Sequence, residues 1–176
     1  KKSPHLTISA FERLAARVPE ARLTMVGQGP LWESCFLRVR ALGLAERISL
    51  PGVLRSEEIA TLMRNARAFV QHSVQALSGD REGTPLAVLE AMASGIPVIA
   101  TRHAGIADVV EHGKQGLLCD EFDIAMMADS MERIATDPDL AARMGAAGRS
   151  HVEMDHRVED SVAALQRIMD AAARKP

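Results

Sequence analysis

Through the middle of the chain runs Gly79-Asp80-Arg81-Glu82-Gly83-Thr84-Pro85-Leu86-Ala87-Val88-Leu89-Glu90-Ala91-Met92-Ala93-Ser94-Gly95-Ile96-Pro97-Val98-Ile99-Ala100. It reads as a helix between two stop signals, followed by a strand. Thr84 suits an N-cap and Pro85 the first helical position. Gly95 can end the helix in a left-handed conformation, and Pro97 prevents its return. Pro97 to Ala100 is then a short apolar strand. Between Gly83 and Ala100 only Glu90 is charged. A helix apolar on all sides is buried. Glu90 lies about 40° from Leu86 on the helical wheel, so it is not expected on a solvated face. A buried carboxylate without donors costs on the order of several kcal/mol. Its donors are backbone amides, an Arg or ligand hydroxyls, and the sequence leaves these open.

On either side the same alternation recurs. Leu6, Ile8, Phe11, Leu14 and Ala15 repeat at helical spacing over 6–17. Arg22 to Val26 reads as a strand ending at Gly27-Gln28-Gly29-Pro30. A helix over 31–43 stops at Gly43, and Ile48-Ser49-Leu50 is a strand before Pro51-Gly52. Ser56 is placed to cap a helix, with Glu57 and Glu58 in its first turn. Ala68 to Gln71 is the next strand, and residues 73–83 form a polar loop. Leu117-Leu118 is a last short strand, and helices fill most of 123–174. The final helix carries Val158, Val162, Leu165, Ile168, Met169 and Ala172 on one stripe. This order predicts an α/β domain over 1–176, a Rossmann-like parallel sheet with helices on both faces. Ligands of such folds bind outside the carboxyl ends of the strands.

Composition removes several classes of function. Hydrophobic residues are 47% and charged residues 25%, an ordinary globular mix. The net charge of −2, four Phe, one Trp and no Tyr give little for nucleic acid to bind. Cys35 and Cys119 match no metal spacing and read as reduced thiols of a cytosolic protein. The histidines show no metal spacing either, and His72 and His103 read as ordinary loop residues after strands. The methionines read as core filling, and Asp80-Arg81 as a solvated pair. Gly27-Gln28-Gly29 fails as a dinucleotide fingerprint, because Trp32 stands where the third Gly would be. No apolar run reaches the roughly 18 residues of a membrane helix. The chain opens Lys1-Lys2-Ser3-Pro4, without Met or an apolar signal core, and reads as a piece of something longer.

The start of the 85–94 helix is a ready anion site. Amides of Gly83, Thr84, Leu86 and Ala87 are free there, and the helix dipole favours negative charge. By spacing alone Glu82, at the same mouth, reads as a solvated loop acid. If a diphosphate sits on those amides, Glu82 should instead accept hydrogen bonds from neutral hydroxyls such as those of a sugar. Glu90 lies five residues past Pro85, about 7–8 Å along the axis.

This segment resembles the retaining, GT-B-fold glycosyltransferases of the GT4-like group (glycosyl transferases group 1), which includes sucrose synthase, glycogen synthase and many bacterial polysaccharide enzymes. Their pattern E-G-x-P-x-x-x-x-E-A-x-A-x-G-x-P-V matches Glu82, Gly83, Pro85, Glu90, Ala91, Ala93, Gly95, Pro97 and Val98. The likeness continues in Val26-Gly27-Gln28-Gly29-Pro30 and in Ile48 to Gly52. It continues also from Thr101 to Val110, where Ala104 replaces a Gly and Asp108 a Glu. That puts the backbone path of this loop in question.

The resemblance implies the C-terminal, donor-binding half of such an enzyme, lacking its first strand and the N-terminal acceptor domain. It implies that Glu82 contacts the transferred sugar and Glu90 the ribose. Gly83, Thr84, Pro85 and Leu86 would hold the diphosphate and sugar, Val53, Leu54 and Arg55 would face the base, and Gly27 would line the cleft. Lys2 stands where a lysine would neutralise the leaving diphosphate. Cationic side chains and helix amides replace a metal, so neither metal nor other cofactor is expected. The implied partners are a nucleotide-diphosphate sugar and, through the other domain, a glycan or glycolipid acceptor, with no nucleic acid. The implied place is the cytoplasm, with a peripheral position at the inner face of the membrane left open. A nucleotide-sugar epimerase of the same fold and a non-catalytic nucleotide-sugar-binding module remain the alternatives.

Overall fold

The computed structural model describes residues 1–83 and 85–173. The elements follow in the order α1 (Pro4–Arg17), β1 (Leu23–Val26), α2 (Trp32–Ala41), β2 (Ile48–Gly52), α3 (Ser56–Asn65), β3 (Phe69–Gln71), α4 (Leu86–Ala93), β4 (Val98–Thr101), α5 (Ile106–Val109), β5 (Gly116–Cys119), α6 (Ile124–Thr136), α7 (Pro138–Asp155) and α8 (Val158–Ala173). All strand pairs are parallel, as expected of strands alternating with helices. Hydrogen bonding divides the strands into the pair β1-β2 and the triplet β3-β4-β5. Beyond β3, the Lys1 carbonyl takes the Val74 N–H at 2.8 Å.

The triplet is buried on both faces. Along β4, Val98 and Ala100 pack with Val88, Ala91 and Met92 of α4 and Ile106 of α5. Ile99, between them, packs into the opposite core with Ile8 and Phe11 of α1 and Met127 and Met131 of α6. Along β5, Leu117 and Cys119 face the α1–α6 side and Leu118 the α4 side. The two-residue period of a strand therefore feeds two cores at once.

The helix that carries the family pattern starts one residue later than expected. Pro85 is its N-cap, with φ −73° and ψ 116°, so Leu86 and not Pro85 is the first helical residue. The Pro85 carbonyl accepts the Val88 N–H, which opens the helical bonding one position on. Thr84, the expected cap, lies outside the described residues, as does position 174 of the last helix. At the other end Gly95 is left-handed, with φ 76°, as its type allows. Ser56 is likewise inside α3 and not its cap. Arg55 takes that place, because Glu58 Oε2 accepts both the Arg55 backbone N–H and its Nε–H at 3.0 Å.

One face of α4 lies on the sheet and against α7. Gly145 of α7 crosses where a Cβ would strike the Gly95 carbonyl, and a Cβ on Gly148 would press on Met92. The other face is open: Leu86 is 72% exposed, and Glu90 is exposed beside it. The expectation that α4 is enclosed all round is thus overturned. Its apolar composition rests partly on alanines, which need no cover, and α7 shields one side only. The α8 stripe of Val158, Val162, Leu165, Ile168, Met169 and Ala172 is exposed throughout. The methionines divide, with Met92, Met127, Met131 and Met144 buried and Met126, Met154 and Met169 exposed.

Ala104, which stands where the resembled pattern has Gly, is left-handed with φ 41°. The backbone keeps a path that suits glycine and strains alanine. Ala104→Gly should therefore raise the unfolding free energy by about 0.5–1 kcal/mol, net of the freedom that glycine adds to the unfolded chain. Gly145→Ala should lower it by about 1–3 kcal/mol through overpacking against Gly95. Urea unfolding of both variants beside the parent measures each effect.

Candidate functional site

The loops that follow β3, β4 and β5 meet at the carboxyl edge of the triplet, and side chains from one loop hold the backbone of the next. His72, directly after β3, is fully buried. Its Nε2 accepts the Phe122 N–H at 3.0 Å, and its Nδ1 lies 3.3 Å from Met127 Sδ. Phe122 is left-handed, with φ 66°, in the turn between β5 and α6. Burial pushes the His72 pKa below the ordinary histidine value, so the ring is held neutral. Thr101, at the end of β4, accepts the Ser73 N–H at 2.9 Å and donates its hydroxyl to the Ser73 carbonyl.

Glu121, next to Phe122, ties two loops together. Its Oε2 accepts the Gln75 N–H at 3.1 Å, and its Oε1 lies 2.6 Å from His103 Nδ1. Burial works to raise the Glu121 pKa. The hydrogen bonds from His103 and Gln75, with nearby positive charge including Arg81, outweigh it and hold the carboxyl below its usual range. The Nε2 of His103, a ring only 2% exposed, accepts the Glu82 N–H at 3.2 Å. The two histidines are therefore structural acceptors in the interior and not ordinary loop residues.

Glu82 is 9% exposed, which overturns its reading as a solvated loop acid. Its Oε1 is buried without a hydrogen-bond partner. Lys1 Nζ is 4.0 Å from that oxygen, an ion-pair neighbour beyond hydrogen-bonding reach, and 3.1 Å from Asp80. Asp80 and Arg81 do not pair with each other, since Arg81 donates to Gln75 Oε1 at 2.8 Å. Gly83 is exposed and Pro85 buried at the mouth of α4, while Glu90 lies on its open face. Lys2 is exposed, and it is Lys1 that reaches the Glu82 carboxylate.

The remaining expected residues form a second group after β1 and β2. Gly27, with φ 121°, donates its N–H to the Gly52 carbonyl at 2.7 Å and so seats the β1 turn beside Val53. Val53 is 72% exposed, Leu54 lines a shallow hollow with Glu57 and Leu62, and Arg55 is held by Glu58. Lys1, Gln75, His103 and Glu121 were not among the expected site residues. The available signal was position, because Glu121 follows the last strand and so falls on the ligand-binding edge.

Among the described residues, no group of three or more His, Cys, Asp or Glu side chains is placed to hold a metal ion. The Asp-x-Asp triplet in the chain, Asp137-Pro138-Asp139, opens α7, where Asp137 accepts the Leu140 N–H at 2.8 Å. Cys35 and Cys119 are free and buried, and burial pushes the Cys119 thiol up to about 11, so it is no nucleophile. No described helix is long and apolar enough to cross a membrane.

The depressed pKa of His72 sets a pH dependence. The unfolded chain takes up a proton there from about pH 6.5 downward, before the folded ring does. The stability present above that value is therefore lost as pH falls below it. His72→Gln, which keeps an acceptor for the Phe122 N–H, should lose less stability than the parent between pH about 7.5 and about 5.5 in urea titrations.

The sequence profile of the family described as Glycosyl transferases group 1 matches residues 1–151. The chain is 39% identical, over 73% of its length, to the putative colanic acid biosynthesis glycosyltransferase WcaL of Salmonella typhimurium, of which it spans 32%. It is 32% identical, over 99% of its length, to a GDP-mannose-dependent alpha-(1-6)-phosphatidylinositol monomannoside mannosyltransferase of Mycobacterium tuberculosis, of which it spans 46%. It thus spans less than half the length of these relatives. Among solved structures, Staphylococcus aureus TarM in complex with UDP superimposes with a TM-score of 0.85 at 21% identity, over 94% of this chain and 32% of that one. Sucrose-phosphate synthase from Thermosynechococcus elongatus superimposes with a TM-score of 0.77 at 27% identity, over 94% of this chain and 42% of that one. With the family pattern on α4 and the parallel triplet behind it, the chain belongs to the group 1 glycosyl transferases and has the fold of the C-terminal half of a GT-B enzyme.

Proposed function

We propose that the chain is the donor-binding half of a retaining glycosyltransferase that moves a sugar from a nucleotide-sugar to a glycan or glycolipid acceptor. The observation that carries this is the buried, unpartnered Oε1 of Glu82 at the mouth of α4. A carboxylate oxygen withdrawn from water without a donor is unfavourable until something supplies one. Sugar hydroxyls are donors of the right chemistry, and the α4 amides beside them suit a diphosphate. Glu90 stands about one turn further along on the open face, where it would meet the ribose. Val53, Leu54 and Arg55 would meet the base, and Gly27 the edge of the cleft.

The reaction is a same-face displacement. The acceptor hydroxyl attacks the anomeric carbon while the bond to the diphosphate oxygen breaks. The leaving phosphate takes the acceptor proton, and Lys2, with other cationic groups of the longer enzyme, stabilises its charge. No metal is required in this scheme. The chain alone binds donor without completing transfer, because the acceptor is held by a preceding domain, and the longer enzyme works in the cytoplasm. Relatives named as GDP-mannose-dependent, and a structural neighbour, HepE of Anabaena, solved with UDP-glucose, support a nucleotide-sugar as the ligand class.

Calorimetry with UDP, GDP, ADP, UDP-glucose and GDP-mannose, first without metal and then with Mg²⁺, tests this. One nucleotide series should bind without metal. Glu90→Ala should weaken the nucleotide and its sugar conjugate alike, by roughly tenfold. Glu82→Gln should weaken the sugar conjugate by a similar factor and leave the bare nucleotide unchanged. Binding by none of the five, or equal loss of nucleotide and conjugate in Glu82→Gln, would sink the assignment.

A further inference from the structure

We propose that His103 is a positioning residue for Glu82, and that it holds the Glu82 backbone only while its Nε2 carries no proton. This rests on Glu82 being the carboxylate that meets the sugar.

The tautomer follows from the partners. Glu121 is held as a carboxylate and can only accept, so the ring nitrogen 2.6 Å from it, Nδ1, must be the donor. In the neutral ring the other nitrogen is then bare. It faces the Glu82 N–H at 3.2 Å and accepts from it. A second proton on the ring would set two N–H groups against each other, and the contact would break. The ring is 2% exposed, so bulk water is not at hand to replace the lost acceptor. The released backbone belongs to the residue whose carboxylate oxygen is buried and unpartnered.

The clamp is anchored in the core. Glu121 also takes the Gln75 N–H, and its neighbour Phe122 hangs on the fully buried His72. The charges facing His103 come from three directions. Glu121 stands on one side, with the Arg102–Asp120 pair at 4.0 Å next to it in sequence. The Glu82 loop lies on the other side and brings Asp80 and Arg81, while Lys1 adds its ammonium from the first residue. A nucleotide-sugar diphosphate has no group that titrates near neutrality, so a pH dependence of its binding there belongs to the protein.

The test joins ring spectroscopy to binding on the 176-residue chain. In ¹⁵N NMR near neutral pH, Nε2 of His103 should be unprotonated and should show through-hydrogen-bond coupling to the Glu82 amide. That amide should then shift with the midpoint read from the His103 ring signals. The affinity for UDP-glucose or GDP-mannose, whichever binds, should fall roughly tenfold as pH is lowered through that midpoint. His103→Gln, whose amide oxygen accepts without titrating, should bind with a flat profile. His103→Phe should be weaker by roughly tenfold throughout. A loss of packing alone would not remove the pH step. A protonated Nε2 at neutral pH, a Glu82 amide indifferent to the ring, or an unchanged pH step in His103→Gln would overturn the proposal. Coupling in a parent that binds neither nucleotide-sugar would refute the donor-site reading and leave the hydrogen-bonded clamp supported.

Discussion

β4 has a hydrogen-bonded strand on each edge and a helical layer on each face, so none of its four residues reaches solvent. The candidate residues at the carboxyl edge of the triplet are set by reference to that strand. Its odd and even side chains serve different cores, and a slip of one residue would exchange them. α4 lies on one of those cores, and the loop that carries Glu82 joins β3, the neighbour of β4, to α4. The end of β4 supplies Thr101, which pins Ser73 in the loop after β3. Two residues later comes His103, which takes the Glu82 amide. A four-residue strand thereby fixes both the platform of the site and its loop.

Polar order at the carboxyl edge is of a different kind. It is built from side-chain acceptors that take single backbone amides of a neighbouring loop. His72 takes Phe122, Glu121 takes Gln75, and His103 takes Glu82. Loops without ladder bonds leave such amides to be satisfied, and a buried one left alone is costly. The exception is the Glu82 carboxylate, buried at the same edge with one oxygen unsatisfied. In a network where the neighbouring groups are paired, that oxygen is the feature on which the donor-site proposal rests.

Much of this was legible in the chain. The strands over 22–26, 48–50, 68–71 and 97–100 announced themselves by short apolar runs, three of them with Gly or Pro close by, and each appears within a residue or two. Gly95 and Pro97 correctly marked the end of α4. What failed was burial, in both directions. Glu82 looked solvated because its burial depends on His103 and Glu121, distant in sequence and joined to it only by the fold. Glu90 looked enclosed because its neighbours are apolar, yet enclosure is decided by which helices come to lie alongside. Helix starts slipped by one residue at Pro85 and Arg55, and at Arg55 the two hydrogen bonds to Glu58 overrode the usual cap preference.

The close crossing of α7 over the end of α4 bears on how such a domain can diverge. With Gly145 set against the Gly95 carbonyl and Gly148 against Met92, α4 is locked in depth and tilt by the helix on its covered side. Sequence change therefore has little room to proceed by shifting α4 itself. The freedom left lies in side chains on its open face, such as Leu86, and in exposed loop positions elsewhere, such as Val53 and Arg55. A lineage can exchange these one at a time while the platform beneath them stays the same.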